Sequence, residues 1–201
     1  IGLAAHMGQI DVRITAKADS SEEADTLIAQ TEAAVLTRAG RFVFGADEQT
    51  LEEVFVRLLS DHDFQVAVIE AGIHDVLTSA VRSVPEGDKV LASVQHYAHP
   101  DDLVNAFDLD GDLPLREKVH VVAHAVCQQK NVDGVIVIAS NPEVVEGVDT
   151  VEATVIAVCT SLKYRDRVYG FGAQSDFARA WGKSWLLSTA WRLLKEQVDA
   201  E

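Results

Sequence analysis

Ile10, Val12, Ile14 and Ala16 alternate with Asp11, Arg13, Thr15 and Lys17, the period-two pattern of a half-buried strand. The period then becomes helical. Ala24, Leu27, Ile28, Thr31 and Val35 fall on one helix face, after Ser20 or Ser21 as cap and with Glu22 and Glu23 in the first turn. Gly40 stops this helix, Arg41 to Phe44 reads as a second short strand, and Gly45-Ala46-Asp47 marks a hinge.

Beyond the hinge, Gln49 to Leu59 reads as a helix burying Leu51, Val54, Phe55, Leu58 and Leu59. Val66 to Ile69 is a buried strand, followed by an amphipathic helix carrying Val76, Leu77, Ala80, Val81 and Val84. Pro85-Glu86-Gly87 is a turn and Lys89 to Val94 a strand. A polar stretch with Tyr97, His99 and Pro100 precedes an acidic loop, Asp108 to Asp112, and a helix from Leu115 to Lys130. Val135 to Ile138 is another buried strand. Val151 to Ser161 and Arg167 to Phe171 pair across a turn at Lys163-Tyr164-Arg165-Asp166, and Ser175 to Val198 is a long closing helix. The order implies an α/β chain. A small α+β domain over residues 1–46 precedes a three-layer α/β/α domain with a mixed sheet over 47–201.

Composition narrows the function classes. At 201 residues and 48% hydrophobic, the chain can bury one good core and a small accessory domain. A net charge of −15 opposes phosphate backbones and excludes a nucleic-acid role. Cys127 and Cys159 sit in apolar runs and read as reduced, buried small hydrophobes. No run reaches the ~18 apolar residues of a membrane helix, and no signal peptide is expected. A cytoplasmic protein is expected. Ile1 is not an initiator methionine, so the chain reads as a piece of a longer protein.

The strand-to-helix junction carries the candidate chemistry. Ile69-Glu70-Ala71-Gly72-Ile73-His74-Asp75 resembles the AESCTGG signature of the C-terminal domain of the CinA (competence/damage-inducible) family. Gly8 to Ala18 resembles a strand of the small KH-type domain preceding it, without the GXXG loop of nucleic-acid-binding KH modules. Thr50 to Val54, and Arg116 to Ile138, resemble further elements of the same domain. The resemblance implies a hydrolase that cleaves the amide of nicotinamide mononucleotide to nicotinate mononucleotide and ammonia. It also implies self-association and an N-terminal molybdopterin-binding-type domain in the longer protein. No cofactor is expected.

The family's site residues are replaced here. Ala71 stands at the nucleophilic serine, removing the hydroxyl that attacks the amide. In Gln95-His96-Tyr97-Ala98-His99-Pro100-Asp101-Asp102, which resembles an AYSNEAK-like segment, Tyr97 matches the tyrosine and Asp102 falls at the lysine. Ile138-Ala139-Ser140 through Gly147 stands for the glycine-rich phosphate loop, with its glycines almost gone and Glu143 and Glu146 adding charge that opposes phosphate. Gly172-Ala173-Gln174-Ser175 stands where the family has GDRE, without its arginine. The degenerate positions are therefore Ala71, Tyr97 and Asp102, and Glu70, His74, Tyr97 and Ser140 are left to hold a ligand.

Other clusters admit two readings each. His120 and His124, four apart on a helix, have a metal-binding spacing that His96 and His99 can complete, or they flank the apolar stripe of Val119, Val122, Ala123 and Val126. Asp108, Asp110 and Asp112 read as a solvated acidic turn, because Gly111 is misplaced for a calcium loop. Glu70, His74 and Asp75 form an acid/base cluster, or Glu70 is a strand-end hydrogen-bond acceptor and His74 fills space. Trp181, Trp185 and Trp191 exceed what one helix face needs for packing and point to an interface. The chain therefore reads as a non-catalytic, self-associating ligand-binding or assembly module, with an amidohydrolase using non-standard residues as the alternative.

Overall fold

The computed structural model describes residues 1–129, 132–144, 152–172 and 175–200. The chain opens with a hairpin, β1 (Gly2–His6) and β2 (Gln9–Arg13), turned by Met7 and Gly8 at positive φ. Its register pairs Leu3 with Val12 and Ala5 with Ile10, placing all four side chains on one face. That face is open: Leu3 is 73% exposed and Ile10 66%. The half-buried strand expected through Ala16 is thus an exposed ribbon ending at Arg13. Helix α1 (Ser21–Ala39) starts where Ser20 Oγ accepts from the Glu23 amide at 3.2 Å, but none of its residues is buried. The strand expected at Arg41 to Phe44 is a 3-10 turn over Gly40–Phe42, closed by the Val43 amide on the Gly40 carbonyl.

Helix α2 (Leu51–Asp61) has a reciprocal cap: Thr50 Oγ1 accepts from the Glu53 amide while Glu53 accepts from the Thr50 amide. It buries Leu51, Val54, Phe55, Val56 and Leu59. There follow β3 (Val66–Ala71), α3 (Leu77–Arg82), β4 (Leu91–Tyr97), α4 (Asp102–Phe107), α5 (Leu115–Cys127) and β5 (Gly134–Ser140). The chain closes with β6 (Thr154–Thr160), β7 (Tyr164–Tyr169) and α6 (Asp176–Val198).

The sheet has the order β4-β3-β5-β6-β7. β4 and β5 run parallel to β3, while β6 and β7 add antiparallel pairs, which makes the sheet mixed. Even-numbered β3 residues Val66 and Val68 pack with Phe55, Leu186, Leu187 and Trp191 of α2 and α6. Odd-numbered Ala67, Ile69 and Ala71 pack with Val119, Val122 and Val126 of α5 and Leu103 of α4. Helices on both faces of one sheet give the expected three-layer α/β/α arrangement.

Two expectations change in detail. The turn before β7 is shorter than Lys163-Tyr164-Arg165-Asp166, because Thr160 and Lys163 close it by exchanging backbone and hydroxyl hydrogen bonds. Arg165 and Asp166 therefore belong to the edge strand. The tryptophans of α6 find partners within the chain: Trp191 is in the core, Trp181 stands edge-on to Tyr169 with centroids 5.0 Å apart, and the Arg167 guanidinium lies over Trp185. Among the described residues, no helix is long and apolar enough to cross a membrane.

Candidate functional site

Parallel strands β4, β3 and β5 end together at Tyr97, Ala71 and Ser140. The chain leaves β3 for β4 on one side and reaches β5 on the other. Such a reversal of strand order opens a crevice at the carboxyl ends of an α/β sheet, where ligands bind. Here Gly72 sits in it. With φ +67, its backbone lies so close to β5 that a Cβ would stand 1.9 Å from the Ser140 carbonyl oxygen and 2.9 Å from Pro100 Cδ. Its amide donates to the Tyr97 carbonyl at 2.9 Å.

Strand alternation separates Ala71 from Glu70. The Ala71 methyl is buried in the apolar cluster against α5. Glu70, wholly buried, turns to the opposite face and accepts from the first amides of the α3 segment. Oε1 takes the Val76 and Leu77 N–H groups at 3.0 and 2.7 Å, and Oε2 takes the Asp75 N–H at 2.9 Å. Thr78 adds longer contacts at 3.4 Å. An internal carboxylate thus occupies the positive start of a helix, where a substrate anion would otherwise be drawn.

His96 pairs with Glu70 in the β3–β4 register, and its Nδ1 lies 3.1 Å from Glu70 Oε2. Its Nε2 is 4.0 Å from Asp75 Oδ1. His74 does not fill space. It is exposed, with its ring 5.8 Å from that of His96 and its carbonyl accepting from Arg179 Nη2 at 2.7 Å. Among the described residues, three metal-type ligand atoms come within 4.8 Å of one another at Glu70, Asp75 and His96. Both Glu70 oxygens there are already engaged by amides.

The other expected site residues lie apart from this cluster. Tyr97 faces the α5 layer beside Phe107, its hydroxyl donates to Gln95 Oε1 at 2.8 Å, and burial raises its phenol pKa. Ser140 Oγ is 2.9 Å from Thr154 Oγ1, which donates to the Phe171 carbonyl. Asp102 accepts from the His99 amide at 2.9 Å, closing the turn that leads into α4. Glu143 takes part in a turn with Asn141; Glu146, Gly147, Ala173 and Gln174 lie outside the described residues.

The His120 and His124 rings lie 4.4 Å apart and tilted to each other, His124 stacked on Tyr164 and His120 edge-on to it, away from His96 and His99. His124 Nδ1 is 3.8 Å from Cys159 Sγ, and burial, then the charge of His120, lowers its pKa. Asp110 accepts from the Asp112 amide as an ordinary turn. Sequence reasoning missed Arg179 and Lys118. Lys118 is 7% exposed and its ammonium is held 3.2 Å from Asp101 Oδ1, reaching the loop after β4 from α5. Neither lies in a segment that stands for a site motif, although Lys118 falls within Arg116 to Ile138. Only helix periodicity, which puts Lys118 next to Val119 and Val122, hinted that one is buried.

The family model described as the damage-inducible protein CinA KH domain matches residues 1–45. A CinA-like protein of Dictyoglomus thermophilum is 29% identical over 129 residues, 64% of this chain and 30% of that protein. One from Synechococcus sp. is 33% identical over 88 residues, 44% of this chain and 21% of the other. The chain thus spans less than a third of the length of these curated relatives. The crystal structure of a competence or damage-inducible protein from Enterobacter asburiae superposes with a TM-score of 0.53 at 13% identity, covering 76% of this chain and 99% of that one. The CinA superfamily protein from Enterobacter cloacae gives 0.53 at 13%, covering 76% and 96%. At such identity the likeness is one of fold.

Proposed function

This chain belongs to the CinA family of competence/damage-inducible proteins, and we propose that within it the chain is a non-catalytic ligand-binding or assembly module. The observation that carries this reading is the end of β3. The position resembling the family's nucleophile is the methyl of Ala71, packed in the core, and the crevice beside it is occupied by the Gly72 backbone. An amide hydrolase needs a nucleophile, a base to activate it and donors for the developing oxyanion. Here the carboxylate of the adjacent Glu70 accepts from α3 amides, and the Lys118 ammonium is bound to Asp101. The division near residue 46 and self-association belong to the same proposal.

A second reading, a changed hydrolase, is favoured by one contact. The buried Glu70 carboxylate orients His96, whose side chain is 33% exposed; such a pair can activate a water molecule. The test is incubation with nicotinamide mononucleotide and an ammonia assay, on the unchanged chain and on His96→Ala. Background release from both supports the module. Release that His96→Ala abolishes supports the hydrolase.

A further inference from the structure

Between β7 and α6 lies a groove of about 320 Å³ that none of the motifs touches. Arg165 and Arg167 reach it from the edge strand, and Arg192, with Trp185 and Thr189, from α6. Two carboxylates border it, but each is neutralised from outside. Asp166 receives a two-pronged ion pair from Arg116, at 2.5 and 3.0 Å, and Glu196 is bound by Lys163. Among the described residues, none of the three groove arginines has a carboxylate within 4.0 Å. In a chain with 32 acidic and 17 basic residues, cations without a carboxylate partner are the less expected outcome, and here three converge on one concavity.

The guanidiniums are also positioned. Arg167 lies 5.5 Å from the centre of the Trp185 ring, and Arg192 lies 5.5 Å from that of Phe42 while donating Nε–H to the Ser188 carbonyl at 3.3 Å. Cation–π contact fixes the plane of a guanidinium. Arg192 also reaches Thr189 Oγ1 at 3.5 Å through Nη2, and Arg165 Nη1 donates to the Tyr164 carbonyl at 3.2 Å, so the N–H groups offered to an oxyanion are those the chain does not engage. The strand register places Arg167 three strands from Glu70 in the same row, about 14 Å away at ordinary strand spacing. The groove is a separate place from the β3 end.

We propose that this groove binds a diphosphate group. Three guanidiniums match the several oxygens and the charge of a diphosphate better than those of a monoanion. The groove's size suits a diphosphate or the diphosphate end of a nucleotide, and that end is the shared chemistry.

Titration calorimetry with inorganic pyrophosphate, and in a parallel arm with a nucleoside diphosphate, tests this. Saturable binding is expected, weakened at least about tenfold by Arg192→Gln and by the double change Arg165→Gln, Arg167→Gln, and weakened by added salt. The double change lies on exposed strand positions, so it carries the test if Arg192→Gln does not fold. Equal affinity in the two arms assigns the site to inorganic diphosphate; tighter nucleotide binding assigns it to a nucleotide. Binding should survive His96→Ala, which separates this result from the fate of the β3 site. No saturable heat with either probe, or affinity unchanged in the folded variants, overturns the proposal. So does self-association of the double variant with unaltered binding, which would make the arginines guards of the sheet edge alone.

Discussion

His96 Nδ1 lies 3.1 Å from Oε2 of Glu70, the same carboxylate that receives the opening amides of the α3 segment. One buried anion therefore ties β3, β4 and the start of α3 together. Its chemistry is spent on the fold: every strong acceptor direction is met by a backbone donor or an imidazole.

Glu70→Ala should accordingly destabilise the chain. It leaves the Val76 and Leu77 amides without their acceptor in a buried place, which costs about 3 kcal/mol or more. Denaturant unfolding measures this, and a loss below about 0.5 kcal/mol, as at an ordinary surface position, would contradict it.

Gly72→Ala should be worse tolerated than any exposed substitution. The new Cβ would meet the Ser140 carbonyl at 1.9 Å, in a φ +67 conformation that itself costs a side-chain-bearing residue about 1–2 kcal/mol. Either the backbone of β5 moves or the strand end opens. Soluble yield and melting temperature should both fall, and a variant as stable as the parent would show that the close approach is not a fixed part of the fold.

Much of this fold was legible in the sequence. The runs at Val66 to Ile69 and Val135 to Ile138 are apolar on both faces because they lie between two helix layers, and such runs announce buried parallel strands. The long helix through Trp181 and Trp185 announced itself by length. The N-terminal ribbon was misjudged because alternation tells which residues share a face but not whether anything covers it: Leu3 and Ile10 are exposed. The site was legible by subtraction, since Ala71 cannot be a nucleophile. That Glu70 turns inward to cap α3, and that His96 joins it, depends on parallel register, which spacing along the chain does not carry. The arginine groove was hidden because Arg165 was assigned to a turn that proves to be strand.

His124 gives the chain a sensitivity to acid. Burial and His120 hold its folded-state pKa below the ordinary value of 6.5. The unfolded state therefore binds the proton first as pH falls. The contribution of neutral His124 is fully present above pH 6.5 and is lost as pH drops from there toward the lowered folded pKa. Unfolding free energies at pH 7.5 and 5.0 should differ less in His124→Asn than in the parent. An equal difference in both would assign the acid sensitivity elsewhere.

Self-association should be visible by light scattering at micromolar concentration, with a mass near twice that of the chain. The reason lies in the N-terminal ribbon more than in the tryptophans. A two-stranded ribbon is marginal alone in water, and its open face exposes Leu3 at 73%, Ile10 at 66% and Val12 at 41%. Leu3→Ser with Ile10→Ser should then favour the monomer. A monomeric mass for the parent would contradict the expectation.

Ammonia released from nicotinamide mononucleotide by the unchanged chain, read beside Ala71→Ser, is the most direct test of the account. Both should stay at the buffer background. Restoring a hydroxyl at Ala71 places it in the apolar layer against α5, on the opposite face of β3 from Glu70 and His96. Turnover by the unchanged chain at an ordinary enzymatic rate, about 1 s⁻¹ or more, that disappears on His96→Ala would contradict the account and establish a hydrolase.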